Sequence, residues 1–317
     1  MIARSMASIR AQVREGLSTL ELAARSRTAL DRPLLHPAEL LVAVPSDEAL
    51  ALGAFQRACE VGDGGETERA LVRRGSGGGE ARVGSGSLWL QLALAESSAL
   101  VACPPERLLN RHVRPLLRAI TRAGVLAHYF ERDWVSGAKR PVAAIAFAHD
   151  ATSGRAFVEA IVAVTTPFAV RTRASTMGKE PATLAELGAK VDARALASLV
   201  LASYEEAYGA AEGEISSAPA ADEPALDDPP WAATATEAIG LVGAGRDRAG
   251  RLRVGGELMV SRDALADLEA ALASGPADAA ALGELVDATL GAPGVALFGV
   301  RSLRSLRDVL ARCQEEA

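Results

Sequence analysis

Residues 71–94 read LVRRGSGGGEARVGSGSLWLQLAL. An extended entry over Ala70–Arg74 and an extended exit over Leu88–Leu94 enclose Ser76, Gly77, Gly78 and Gly79. Three successive glycines let the backbone take positive φ and come close to another group. Unobstructed N–H groups in such a bend form a nest for an anion. Arg73 and Arg74 stand at its mouth, and guanidinium groups suit phosphate or carboxylate. The string is neither GxxxxGK[ST] nor a GxGxxG that opens a helix, so kinase-like P-loop and Rossmann readings fail on context. The competing reading is a flexible hairpin tip, because Gly-rich tips are common.

Working outward, residues 6–28 read as a helix, since Ile9, Val13, Leu17, Leu20 and Leu22 recur at near-helical spacing. Strand-like runs follow at Glu39–Val44 and Ala49–Gly53. Pro104-Pro105 opens a helical region that ends near Gly124, with Pro115 as a kink or restart. Further strand candidates are Val125–Glu131, Val142–Phe147 and Arg155–Thr165, and Ala189–Tyr208 is an amphipathic helix. Hairpin-length gaps between strands favour an α+β class over a doubly wound sheet.

Residues 211–232 carry four prolines and six acidic side chains with no Lys or Arg, a composition that predicts an unfolded acidic linker. It divides a first domain, 1–210, from a second, 233–317, in which two strands precede three helical stretches near 262–274, 278–290 and 302–313. Hydrophobic residues make up 49% of the 317, enough for a core, and the charge sum of −6 argues against a nucleic-acid partner. No run of 18 apolar residues points to a membrane span. The N-terminus has no apolar signal region, so the expected location is cytoplasmic. Cys59, Cys103 and Cys313 are widely spaced, and none of the four histidines forms a ligand pair, so no structural metal is expected.

The glycine string resembles the RRxSGGGxVxHxxGxLxxS signature of lipoate-protein ligases (the lipoate-protein ligase A-like family, in the biotin/lipoate ligase superfamily). Upstream, Leu52-Gly53-Ala54-Phe55-Gln56 is similar to the family's lGxxQ segment. Asp133-Trp134 and Gly137–Ala146 are similar to its ND…GxKVAGxAQ stretch, and Thr183–Leu187 to its TSLxEL segment. Residues 233–317 resemble its C-terminal accessory domain. The resemblance implies an α+β fold, with a mixed β-sheet ligase-like domain and a small α+β accessory domain. It implies an enzyme that forms a lipoyl- or octanoyl-adenylate from ATP, with Mg2+ as counter-ion. The acyl group would pass to a lysine of a lipoyl acceptor domain or carrier protein. Arg73, Arg74 and Ser76–Gly79 would hold the adenylate, and a lysine would stabilise charge on the reacting groups.

The chain departs from the pattern where the chemistry is most distinctive. Pro141 stands at the family's lysine, Ala144 at a glycine, Phe147 at a glutamine, Val83 at the signature's histidine, and Glu159-Ala160 at a later His-Gly. Lys139 lies two residues before Pro141, and in an extended strand the two share a face. That makes Lys139 the candidate catalytic lysine if extended backbone continues back to it; the competing reading sets Lys139 and Arg140 at a solvated hairpin tip. Two further readings stand beside the ligase: a non-catalytic relative acting as a binding or assembly module, and an acyltransferase working without ATP. Arg107, Arg111, Arg114, Arg118 and Arg122 fall on one helical arc that could meet an acidic acceptor or be an ordinary solvated face.

Overall fold

Strand burial sets the architecture. A computed structural model describes residues 8–61, 70–169, 176–218, 224, 226, 228–274 and 278–315. The first elements are β1 (Arg10–Leu17), α1 (Thr19–Arg27), β2 (Ala38–Pro45), β3 (Ala49–Leu52), β4 (Ala70–Arg73), β5 (Ala81–Val83) and β6 (Ser87–Leu94). Then come α2 (Leu108–His112), α3 (Arg114–Arg122), β7 (Ala127–Tyr129), β8 (Trp134–Gly137), β9 (Arg140–His149), β10 (Ala156–Ala163) and α4 (Ala193–Tyr208). A seven-stranded sheet runs β1-β2-β6-β10-β9-β8-β7. Only β1 and β2 pair in parallel; every other neighbour is antiparallel. The sheet is therefore mixed, and the class is α+β.

Every residue of β6 is buried, because both faces of the sheet are covered. Leu88, Leu90, Leu92 and Leu94 point into a core shared with α2, α3 and α4. Each buried leucine contributes about 1.5–3 kcal/mol. Trp89 points the other way, into a second core with α1 and a small sheet ordered β4-β3-β5. On that second face the apolar pattern is interrupted by Glu39 of β2, Gln91 of β6 and Glu159 of β10, all buried. Gln91 and Glu159 are direct cross-strand partners.

The second unit comprises β11 (Ala233–Glu237), β12 (Gly240–Arg246), β13 (Leu252–Gly256), β14 (Met259–Val260), α5 (Arg262–Leu272), α6 (Ala279–Leu290), β15 (Leu297–Phe298) and α7 (Leu303–Glu315). Its antiparallel β11-β12-β13 meander and helices enclose their own apolar core. Ile239, Met259 and Ala296 leave that core and join the main one.

Two expectations are corrected. The helix expected over 6–28 is a strand followed by a helix. Ile9, Ala11 and Val13 line one strand face, so a spacing of four residues there expresses period two rather than 3.6. The helix starts later because Ser18 and Glu21 form a capping box: the Glu21 N–H donates to the Ser18 hydroxyl (3.2 Å) and the Ser18 N–H donates to the Glu21 carboxylate (2.7 Å). The acidic segment is also not loose where it is described. Ile215 and Ser216 are buried, and Pro229 and Pro230 accept hydrogen bonds from Arg57. Among the described residues no helix is long and apolar enough to cross a membrane.

Candidate functional site

The glycine loop leaves β4 at Arg73 and crosses to the main sheet, where Gly77 bridges Phe147 of β9. It lies inside the protein, with Ser76, Gly77, Gly78 and Gly79 all buried. Three of its N–H groups have acceptors within the chain. Gly75 donates to the Ser26 hydroxyl (2.8 Å), Gly77 to the Phe147 carbonyl (2.8 Å) and Gly78 to the Leu258 carbonyl (2.9 Å). The glycines are required by this packing. A Cβ on Gly77 would lie 2.0 Å from the Leu258 carbonyl oxygen, and Gly78 has φ of +101°. The segment joining β13 to β14 thus covers the loop.

Beneath the loop sits the Glu159 carboxylate, with no exposed surface. It accepts from the hydroxyls of Ser26 (2.8 Å) and Ser76, from the Trp89 indole N–H (2.9 Å) and from the Gln91 amide (2.9 Å). Four neutral donors from α1, the loop and β6 thus converge on one carboxylate, which low local dielectric makes a strong cluster. Trp89, Ile161 and Phe168 pack beside it with no exposed surface.

The arginines are also engaged. Arg74 is 1% exposed; its Nη2 donates to the Gly79 carbonyl (2.7 Å) and its Nε to the Leu52 carbonyl (3.4 Å). Arg73 Nη1 donates to the carbonyls of Gly53 (3.2 Å), Ala54 (3.4 Å) and Gln56, and burial lowers its pKa. Arg74 thus ties the glycine loop to β3, and Arg73 holds the backbone that follows β3.

Lys139 is elsewhere. Ala138 (φ +47°) and Lys139 (φ +67°) form the two-residue turn of the β8–β9 hairpin, closed by the Gly137–Arg140 pair. Positive φ at both positions is the type I′ geometry that matches strand twist. The extended backbone expected through Lys139 is therefore not formed, and the side chain is exposed at the tip. Phe147, the strand residue beside the loop, lies eight residues along β9, or about 26 Å at strand rise. A lysine side chain does not span that distance. The structure brings Arg73, Arg74 and Ser76–Gly79 together and leaves Lys139 outside. Ser26, Trp89 and Gln91 were not anticipated, because their meeting depends on cross-strand register.

No family model matches the sequence, and no curated protein matches it. Solved structures do. A bipartite lipoate protein ligase from Thermoplasma acidophilum, studied with its E2 lipoyl domain, superposes at a TM-score of 0.53 with 16% identity, over 66% of this chain and 86% of that one. A T. acidophilum structure with bound lipoic acid superposes at 0.52 with 14% identity, over 66% and 90%. The chain has the lipoate-protein ligase fold.

Within that fold, the residues present do not fit an acyl-adenylate. The Gly77 and Gly78 donors already have carbonyl acceptors, and the Ser76 hydroxyl is committed to the buried Glu159 carboxylate. Among the described residues no three His, Cys, Asp or Glu side chains gather to hold a metal ion. The arginine arc is partly engaged as well: Arg118 and Arg122 pair with Glu206 of α4 (3.7 and 2.8 Å), and Arg107 with Glu131 (3.0 Å).

Proposed function

We propose that this chain is a non-catalytic relative of the lipoate-protein ligases, acting as a binding or assembly module. The observation that carries this reading is the closure of the glycine loop by Leu258, with Glu159 beneath it. A ligase needs those N–H groups aimed at developing charge on the reacting phosphate and carbonyl. Here they stabilise the chain's own architecture. The absence of a lysine at position 141 and the hairpin setting of Lys139 support the same reading.

The ATP-dependent ligase is the second reading, favoured by the retained RRGSGGG string. It requires the second unit to swing away from Gly77 and Gly78 and Glu159 to leave the loop. A lipoyl acceptor domain is the first partner to test, because the T. acidophilum ligase was studied with one.

Full-length protein incubated with lipoate or octanoate, labelled ATP and a lipoyl acceptor domain separates the two. Neither pyrophosphate nor acylated acceptor is expected, while the acceptor co-elutes with the chain on gel filtration. Pyrophosphate release above a no-enzyme control overturns the proposal.

A further inference from the structure

The second buried carboxylate of the sheet, Glu39 on β2, has a different environment. It has no exposed surface and accepts from the Leu35 N–H (2.8 Å), the Ser216 N–H (3.0 Å) and the Ser216 hydroxyl (2.6 Å). Two guanidinium groups approach it without reaching hydrogen-bond distance, Arg25 at 3.8 Å and Arg32 at 3.9 Å. Arg25 donates from Nη1 to the Ser216 carbonyl (2.5 Å), which leaves its Nε without an acceptor. Arg32 is more extreme. Its side chain is 2% exposed, and among the described residues Nε, Nη1 and Nη2 all lack a hydrogen-bond partner.

Buried N–H groups on a cation are costly to leave unmatched. The charge does not balance either, with two guanidinium groups facing one carboxylate. Burial lowers the pKa of both arginines, that of Arg25 to about 9. Asp31 does not supply the missing charge, because Arg262 holds it through two 2.7 Å hydrogen bonds. Arg32 also lines an open cavity of about 570 Å3, together with Thr28, Asp31, Leu35, Ser216 and Ser217.

We propose that Arg25 and Arg32 form a binding site for an oxyanion of the phosphate class, entering through this cavity. The ligand reaches the shielded guanidinium by a change of Arg32 rotamer toward the cavity it already lines. A tetrahedral oxyanion offers enough acceptors to bridge both arginines, and its charge offsets the excess cation. The site shares α1 with the Glu159 cluster but none of its side chains, so it stands or falls independently of any catalytic reading.

Full-length protein is titrated with inorganic phosphate by calorimetry, and its melting temperature is followed in phosphate against chloride at matched ionic strength. The wild type binds phosphate, and its Tm climbs with phosphate concentration as linkage requires. Arg32→Met weakens binding by about tenfold or more, the scale of one charged hydrogen bond. Arg304→Met, which removes a guanidinium 83% exposed on α7, leaves binding unchanged. A wild type indifferent to phosphate overturns the proposal. So does equal loss in both variants, or retention in Arg32→Met. Should Arg32→Met not fold, the wild-type calorimetric titration decides alone.

Discussion

Arg25 and Ser26 are neighbours on α1, yet they lead to two buried carboxylates in opposite states. Ser26 donates to Glu159, which gathers four neutral donors. Arg25 faces Glu39, where a second guanidinium, that of Arg32, has no acceptor among the described residues. The glycine loop that announces itself in the sequence belongs to the first, fully matched region. The region with unmatched donors carries no recognisable motif. A binding motif is a statement about which donors a backbone offers, and only the fold decides whether other parts of the chain accept them.

The largest expected effect tests the matched region. Glu159→Ala removes the one acceptor serving four buried donors and costs about 3–5 kcal/mol in urea denaturation. Arg32→Met, in the unmatched region, changes stability by less than about 1 kcal/mol or raises it, since it removes a buried cation without hydrogen bonds. Equal costs for the two would erase the contrast.

His112 on α2 sharpens the contrast from the helical layer. It is fully buried, its Nε2 has no partner among the described residues, and burial lowers its pKa from 6.5 to about 4. Between those values the unfolded chain binds a proton that the folded chain refuses. Stability from this group is complete above pH 6.5 and falls by about 3 kcal/mol on descending to pH 4. Denaturation midpoints measured across that range should lose this slope in His112→Phe.

Gly77→Ala places a methyl group against the Leu258 carbonyl and should cost about 2 kcal/mol by overpacking. Faster protease cleavage within 211–232 would report the loosened second unit. The smallest effect belongs to Lys139→Ala, within about 0.5 kcal/mol in the same denaturation assay, as expected of an exposed turn residue.

Much of this architecture is legible in the residues. The near-continuous apolar runs in Leu88–Leu94 and Arg155–Thr165 locate two central strands, and α5, α6 and α7 match the three helical stretches expected near 262–274, 278–290 and 302–313. The misreadings are local ambiguities. A spacing of four suits both strand and helix at Ile9 and Val13, and only the Ser18–Glu21 box marks the true helix start. With β8 unread, the residues left open whether Lys139 continues a strand or sits at a hairpin tip, and the tip is what forms. The loop's fate was hidden for another reason. Gly78 meets Leu258 across 180 residues, and no local pattern encodes that register.

The closure of the loop is tested most directly by hydrogen exchange at the Gly77 and Gly78 amides, with and without lipoate and ATP. Both amides should exchange slowly, through opening of the second unit, and at the same rate whether or not the small molecules are present. Rapid exchange in the free protein, or protection that appears only when lipoate and ATP are added, would contradict a loop already satisfied by the Phe147 and Leu258 carbonyls.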